Sequence, residues 1–313
     1  MNSTVKVAAA QISPVFLDKN QTVEKACLTI REAANNGAKL IVFPEAFIPG
    51  YPDWVWLIPN SKGAELNKLF TELVENSVSV PDNSTELLCK AAKENSINVV
   101  IGMNERNTES SNSSIFNSML FIDDQGNIIG KHRKLIPTGG ERLIWGQGDG
   151  SDLQSYETLA GLIGGLICWE NYMPLARTAM YETGMQILAA PTWDKSPNWQ
   201  SSMQHIAREG RCWVVGCGNL MHTRDLPPDL PEKTMMFPED DWINPGDSVV
   251  ISPDGEIAVG PMRKEAGILY CEVDLEKIGP AKRTLDVAGH YSRPDIFTLH
   301  VNTKPQSPVQ FDD

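Results

Sequence analysis

The chain has 313 residues, 41% of them hydrophobic and 21% charged, so it is long enough to bury a large core as a globular protein. Its net charge of −13 argues against a nucleic-acid partner, because such partners are held by clustered Lys and Arg side chains. The apolar run near the start, VKVAAAQI, is short and interrupted by Lys6, so we expect neither a signal peptide nor a membrane span and predict a cytoplasmic protein.

Apolar runs typical of β-strands recur along the chain. In chain order they are VKVAAAQI, AKLIVFPE, INVVIGMN, NSMLFID, LIGGLICW, MQILAAPTW, CWVVGCGNL, DSVVISPDG and GILYCEVD. Several are apolar throughout, which is typical of strands covered on both faces. Helical patterns lie between many of them, over residues 19–36, 63–77, 85–95, 173–183 and 198–211. This alternation predicts sheets covered by helices.

Two turn signals add detail to this layout. DDQGN at 123–127 and SPDGE at 252–256 are typical of hairpins, which join antiparallel strands and so predict mixed sheets. No linker long enough to separate two domains interrupts the pattern. We therefore expect residues 1–304 to form a single domain, followed by a flexible polar tail over 305–313.

The six cysteines are scattered and form no CxxC pair, so the sequence predicts neither a metal site nor a disulfide framework. Most are expected to be small, buried, reduced side chains. These cysteines are Cys27, Cys89, Cys168, Cys212, Cys217 and Cys271.

Cys168 differs from the others because it ends the apolar run LIGGLIC shortly before Pro174, a residue that suits the first turn of a helix. A thiol in a strand-to-helix turn lies near helix N–H groups that favour a thiolate. A helix terminus contributes only about 0.3 to 1 kcal/mol, and a free thiol with a pKa of about 8.5 is only slightly ionised at neutral pH. Cys168 is therefore a nucleophile only if a positioned base activates it, and is otherwise a core thiol.

The local sequence singles out none of the five histidines as that base. Glu45 directly follows the apolar run LIVFP, where a charged residue lines a cleft or caps a helix. The segment GKHRKLIPTGGER places Lys134 before apolar residues and Glu141 seven residues later. Taken one at a time, each of these residues is better explained without catalysis, Glu45 as a helix cap, Lys134 as a solvated charge and Glu141 as a surface residue.

Taken together, FPE at Glu45, HRKL at Lys134 and CWEN at Cys168 resemble, in order and spacing, the catalytic signatures of the nitrilase superfamily. The resemblance extends over nearly the whole chain, from AAAQISP to DVAGHYSRPDIF. It implies an α/β fold, a four-layer αββα sandwich with two mixed sheets covered by helices. It also implies a homodimer or higher homo-oligomer and a Glu-Lys-Cys triad that splits carbon–nitrogen bonds without a metal or an organic cofactor.

Four further segments look like the nitrilase branch of that superfamily: FIPGYPDW, PTGGERLIWGQGDGS, CWENYMPLAR and APTW. They imply that a small-molecule nitrile is hydrolysed to the carboxylic acid and ammonia through a thioimidate and a thioester. An amidase or N-carbamoyl hydrolase of the same superfamily remains open. From other classes, a thiol redox protein and a non-catalytic binding module also remain.

The resemblance assigns roles to four residues. Cys168 is the nucleophile, Glu45 is the general base and acid, and Lys134 stabilises charge in the tetrahedral intermediates, helped by a backbone N–H beside Trp169. Glu141 resembles an additional active-site glutamate. We expect it to orient Lys134 and to raise the proton affinity of Glu45 through like-charge proximity.

Aromatic residues beside these motifs are candidates for the walls of an apolar substrate pocket. Packing in the core explains each of them equally well. The candidates are Tyr51, Trp54, Trp169 and Trp193.

Overall fold

The structure is a computed structural model that describes residues 4–307 and 309, apart from residues 111, 229, 231, 232, 238 and 239. Of the predicted tail, residues 308 and 310–313 lie outside the described residues, and residues 305–307 and 309 are exposed. No helix in the described part of the chain is long and apolar enough to cross a membrane.

The first sheet is mixed. Its described strands are β1 (Thr4–Gln11), β2 (Leu40–Val42), β3 (Asn98–Arg106), β4 (Ile115–Ile122), β5 (Ile128–Arg133) and β13 (Gly267–Asp274). They lie in the order β13-β1-β2-β3-β4-β5. The three central strands β1, β2 and β3 are parallel, and the other pairs are antiparallel.

The second sheet is also mixed. Its described strands are β6 (Tyr156–Thr158), β7 (Gly161–Gly165), β8 (Ile187–Thr192), β9 (Trp213–Gly218), β10 (Leu220–His222), β11 (Trp242–Ile251) and β12 (Ile257–Arg263). Their order is β10-β11-β9-β8-β7-β6, with β12 paired to β11. Here β7, β8 and β9 are the parallel strands.

Several helices begin where the sequence supplies a cap or a proline. The Asp18 side chain accepts a hydrogen bond from Gln21 N at the start of the first helix, and Pro174 and Pro197 occupy the first turns of two others. The described helices are α1 (Lys19–Asn35), α2 (Trp54–Leu57), α3 (Gly63–Glu75), α4 (Asn83–Asn95), α5 (Pro174–Glu182), α6 (Pro197–Gly210), α7 (Lys233–Met236) and α8 (Ile278–Thr284). The five predicted helices are thus confirmed to within about two residues at each end.

Three apolar cores fix the layers. One lies between the sheets and joins Val42 and Val100 of the first to Ala189 and Val215 of the second. A second joins the outer face of the first sheet to α1 and α4, and a third joins the outer face of the second sheet to α5 and α6. The four layers confirm the predicted αββα sandwich.

Both predicted hairpins are confirmed, since β4 pairs with β5 and β11 pairs with β12. The strands β5 and β12 themselves were not predicted. Their residues are mostly half-buried or exposed, so neither contains the long apolar run by which nine of the described strands were predicted. The three-residue strands β6 and β10 were not predicted either. The omission of β5 matters because Lys134 directly follows it.

Candidate active site

Glu45, Lys134 and Cys168 meet at one edge of the sandwich. Glu45 lies three residues after β2, Lys134 directly after β5, and Cys168 three residues after β7. The carboxyl ends of parallel strands are where open α/β sheets form their sites. The side chains of Glu45 and Lys134 are 0% exposed, and Cys168 is 4% exposed. The three residues therefore form a site shielded from water.

The turn that carries Glu45 depends on its neighbours. Ala46 has φ +49°, a left-handed conformation that ordinary residues rarely adopt. Gly102 of β3 lies directly beneath this turn, and a Cβ atom there would overlap the Pro44 carbonyl oxygen and lie 2.9 Å from Glu45 Cα. Glycine therefore lets the turn approach the sheet closely enough to bury the carboxylate.

Cys168 itself has φ +51° and begins the 3₁₀ helix Cys168–Tyr172, which leads into α5 at Pro174. Backbone strain of this kind persists only where surrounding contacts hold it. The Asn171 amide supplies two of them, donating to the carbonyl oxygens of Leu166 at 2.7 Å and Cys168 at 2.9 Å. The predicted strand-to-helix turn is therefore a sharp, pinned elbow.

Lys134 bridges two buried carboxylates. Its Nζ donates to Glu45 Oε1 and to Glu141 Oε2, each at 2.8 Å. Glu45 Oε1 also accepts from Asn117 Nδ2 at 2.8 Å, and Glu45 Oε2 accepts the Trp193 backbone N–H at 2.7 Å. The Glu45 carboxylate is thus held by three donors, and the Lys134 ammonium has a fixed position.

The Glu141 carboxylate is also held by several hydrogen bonds. The Tyr51 hydroxyl donates to Glu141 Oε1 at 2.7 Å, and the Thr138 backbone N–H donates to Oε2 at 2.6 Å. Two donors besides Lys134 therefore orient this carboxylate. The predicted contact between Glu141 and Lys134 is present.

Burial and neighbouring charges shift the pKa values of Glu45, Lys134 and Cys168. Burial raises the pKa of Glu45, the Lys134 charge lowers it, Glu141 raises it again, and the net direction is upward. Burial alone would lower the pKa of Lys134, but attraction to Glu45, Cys168 and Glu141 prevails, so that pKa lies above its ordinary value. Burial and then the Glu45 charge raise the pKa of the Cys168 thiol, while Lys134 opposes them. The resting site therefore contains a charged lysine and a protonated thiol.

The Cys168 sulfur has a hydroxyl neighbour that sequence reasoning missed. Thr192, the last residue of β8, donates from Oγ1 to Cys168 Sγ at 3.2 Å, and its Oγ1 accepts the Asp194 N–H at 2.9 Å. A donor to sulfur favours the thiolate over the thiol. Thr192 directly precedes Trp193 in the APTW segment, and that segment was the sequence signal that could have identified Thr192.

Two of the four aromatic candidates line one wall of the site. The rings of Tyr51 and Trp193 stack with centroids 4.4 Å apart, and the Trp193 indole N–H donates to Asp53 Oδ1 at 3.1 Å. Tyr51 and the buried Trp54 line an apolar cavity together with Asp53. Burial raises the pKa of Asp53 to about 6.

Trp169 lies apart from the other three aromatics. Its side chain is 49% exposed, its indole N–H donates to Asp194 Oδ2 at 2.8 Å, and its ring packs edge-on against Tyr172. It remains a neighbour of Cys168 in the chain, but the structure does not group it with Tyr51, Trp54 and Trp193.

Other polar residues around the site were also missed. Asn117 lies in the apolar strand NSMLFID, where a buried amide is itself a signal, and Glu170 lies inside the CWEN motif. Across the residues that the structure describes, no three His, Cys, Asp or Glu side chains cluster as a metal site.

A buried thiol beside a carboxylate and an ammonium, at the strand ends of an αββα sandwich, is the arrangement of a hydrolytic enzyme with a cysteine nucleophile. The family profile of the carbon-nitrogen hydrolases matches residues 6–283. The protein therefore belongs to the carbon-nitrogen hydrolase family, and it is a hydrolase that acts on carbon–nitrogen bonds.

Similar sequences are named as nitrilases. Nitrilase 3 of Arabidopsis thaliana is 42% identical over 99% of this chain and 90% of its own length. A bifunctional nitrilase/nitrile hydratase of Nicotiana tabacum is 40% identical over 98% of this chain and 89% of its own. An aliphatic nitrilase of Sinorhizobium fredii is 39% identical over 97% of each chain.

Solved structures agree on the fold. The Nit3 protein of Saccharomyces cerevisiae, a member of the nitrilase superfamily, superposes with a TM-score of 0.73 at 21% identity, over 92% of this chain and 96% of its own. An amidase from Nesterenkonia has a TM-score of 0.65 at 17% identity, over 90% of this chain and 94% of its own. At these identities the likeness extends to the fold alone.

Proposed function

We propose that this protein is a nitrilase, which hydrolyses an organic nitrile to the carboxylic acid and ammonia. The observation that carries the proposal is the buried group of Glu45, Lys134 and Cys168, found in a chain about 40% identical over nearly its full length to proteins named nitrilases. We assign Cys168 as nucleophile, Glu45 as general base and acid, and Lys134 as the fixed positive charge.

In the first step the Cys168 sulfur attacks the nitrile carbon while Glu45 takes the thiol proton and passes it to the nitrile nitrogen. One π bond of the nitrile breaks, and a covalent thioimidate forms. Because the pKa values of the thiol and of Glu45 are both raised, a free thiolate is scarce at rest, so proton transfer accompanies attack.

Two waters complete the reaction. Glu45 activates the first, which adds to the thioimidate carbon; the carbon–nitrogen bond then breaks, and protonated nitrogen leaves as ammonia. The resulting thioester is attacked by the second water, and its carbon–sulfur bond breaks to release the acid and restore the thiol. Lys134 stabilises the negative charge of each tetrahedral intermediate, with the Trp169 backbone N–H in the first turn of the 3₁₀ helix as a second donor.

The preferred substrate is expected to be a nitrile rather than the matching amide. The sequences around Trp145 and Trp193 resemble the nitrilase branch, and the relatives named above are called nitrilases. The test is kcat/KM for nitrile and amide pairs with the same R group, with ammonia and released amide both quantified. Consistently faster amide hydrolysis would make the amidase alternative correct.

Glu141→Gln is expected to lower kcat about 10- to 100-fold at neutral pH and to move the acid limb of the pH profile to lower pH. The charge of Glu141 raises the pKa of Glu45, so removing it makes Glu45 a weaker base that stays ionised at lower pH. The measurement is kcat and kcat/KM as functions of pH.

Tyr51→Phe is the matched control for Glu141→Gln. It removes one hydrogen bond to Glu141 but keeps the charge, so it should change the rate without that movement of the acid limb. If Glu141→Gln shows the wild-type rate and profile, its charge has no catalytic role, and Glu45, Lys134 and Cys168 are the complete set.

We further propose that the aromatic wall formed by Tyr51, Trp54 and Trp193 contributes to binding of the R group. The apolar faces of these rings suit an organic substituent. The Tyr51 hydroxyl bonds Glu141 and the Trp193 N–H bonds Glu45, so this wall is continuous with the proposed catalytic residues. We propose that Trp169 also contributes to binding of the R group, because it directly follows Cys168 in the chain.

A homodimer or higher homo-oligomer is part of the same proposal. Large apolar side chains are exposed on α5 and along the C-terminal segment, among them Leu175 at 67%, Tyr291 at 63% and Phe297 at 77%. Exposed apolar patches of this kind mark protein interfaces.

We also propose a single domain over residues 1–304. Because all six cysteines are free thiols, we propose a cytoplasmic location as well.

A further inference from the structure

Glu170 is a buried carboxylate to which the proposed mechanism gives no role. Its side chain is 0% exposed. Both of its oxygens contact His132 Nε2, at 3.0 and 2.9 Å, Oε1 accepts the Leu135 N–H at 2.8 Å, and Oε2 accepts the Ile167 N–H at 2.7 Å. One carboxylate thus joins two segments of the chain, 132–135 and 167–170.

The two backbone donors flank the proposed catalytic residues. Leu135 follows Lys134 directly, and Ile167 directly precedes Cys168. Because a carboxylate is rigid and planar, accepting one N–H on each oxygen fixes the separation of the two backbones. Glu170 therefore ties the segment that presents the ammonium to the elbow that presents the sulfur.

His132 balances the charge of Glu170. Burial alone would raise the pKa of Glu170, but His132 and the two backbone donors outweigh it, so that pKa lies below its ordinary value. Burial alone would lower the pKa of His132, but Glu170 prevails and that pKa is raised. A buried ion pair adds little net stability once desolvation is counted, so its effect lies in what it holds in place.

We propose that Glu170, paired with His132, is a positioning residue that sets the distance and orientation between Lys134 and the Cys168 sulfur. The inference rests on the proposed function, because it presumes that both residues act in turnover. Glu170 touches neither reacting atom, and its effect on rate passes through the two backbone segments.

Two substitutions test this positioning role. Glu170→Gln keeps the shape but has a single acceptor oxygen, so one of the two N–H groups loses its partner. Glu170→Asp keeps the charge but is one methylene too short to reach both. Each is expected to lower kcat about 10- to 100-fold with KM within about threefold, because small misplacements of reacting groups cost about that much in rate.

Glu105→Gln is the matched control. Glu105 is also buried and paired, accepting hydrogen bonds from the side chains of Ser118, Lys131 and Arg133. Strand alternation places it on the face of the sheet opposite Asn117, which bonds Glu45. The control should lose stability as Glu170→Gln does but keep kcat within about threefold. Circular dichroism and thermal unfolding establish the folded fraction of each variant.

A second readout separates positioning from a general loss of structure. The rate at which iodoacetamide alkylates Cys168, measured per site by peptide mass spectrometry, should fall in both Glu170 variants, and its pH profile should move to higher pH. The reason is that a displaced Lys134 stabilises the thiolate less. In Glu105→Gln this profile should match that of the wild type.

Wild-type kcat and an unmoved alkylation profile in folded Glu170→Gln and Glu170→Asp would overturn the inference. Failure of both variants to fold would overturn it as well, since Glu170 would then be a determinant of stability. Failure of the proposed function looks different. In that case the wild type hydrolyses the matching amides faster than the nitriles, or Cys168→Ala retains turnover, whatever the Glu170 variants do.

Discussion

Cys168→Ala is expected to abolish nitrile turnover and leave the fold intact. Thioimidate formation requires a nucleophilic sulfur, and an alanine methyl group cannot replace it. The backbone cost should hardly change, because cysteine and alanine are both unbranched at Cβ and pay similar strain at φ +51°. The elbow also keeps the Asn171 hydrogen bonds, since they are made to backbone oxygens.

Three measurements check the Cys168→Ala result. Ammonia release should fall below detection, thermal unfolding should remain cooperative, and intact mass after substrate quenching should show an adduct on the wild type but not on the variant. Cys217→Ala is the control, because Cys217 is buried in the same core cluster but its thiol donates to the backbone oxygens of Ala10 and Val42. Substantial turnover by Cys168→Ala would end the nucleophile assignment.

Lys134→Met is expected to have the largest combined effect on activity and stability. The ammonium bridges Glu45 and Glu141 in a site with no solvent exposure, so its removal leaves two buried carboxylates facing each other. Breaking a buried ion pair by removing one partner costs about 3 to 5 kcal/mol. Losing the charge that stabilises the tetrahedral intermediates should lower kcat by a factor of about 10² to 10³ or more.

The stability of Lys134→Met should depend on pH with a defined sign. Without the lysine the pKa of Glu45 in the folded state rises further above its unfolded value, because Lys134 is the main influence that lowers it. Folding then favours the protonated carboxyl, so stability is greatest below the unfolded pKa of glutamate and falls as pH rises through the higher folded pKa. Urea unfolding at pH 5 and at pH 8 measures the difference.

The double variant Lys134→Met, Glu141→Gln separates the two effects. Removing one of the two carboxylates relieves their repulsion, so part of the lost stability should return while kcat stays low. If the double variant is no more stable than Lys134→Met, repulsion between Glu45 and Glu141 is not the source of the loss. If Lys134→Met retains wild-type kcat, the stabilising role of Lys134 is wrong.

The sequence by itself predicted strands covered by helices, and its resemblance to the nitrilase superfamily implied the four layers and the site residues Glu45, Lys134 and Cys168. Apolar runs and helical periodicity reflect burial along a single element, so the local sequence was enough to predict most of the strands, the helix from Pro174 and the two hairpins. Motif resemblance singled out Lys134, although the half-exposed strand β5 before it was not predicted.

Only the tertiary structure decided how the site is connected. Trp169 and Trp193 both follow strand ends beside site residues, yet Trp193 stacks on Tyr51 and Trp169 points to solvent. Nothing local distinguishes them, because the difference comes from what each ring packs against. The buried pairing of Glu170 with His132, 38 residues away, is invisible in the sequence for the same reason.

The charges of the site belong to the tertiary structure as well. Glu45 and Lys134 are 89 residues apart in the chain, and their pKa values move only because folding removes water from both and brings them to 2.8 Å. A motif can name a base and an ammonium. Desolvation and Coulomb attraction depend on distance and burial, which are set by every strand and turn around the site, so a local pattern cannot encode them.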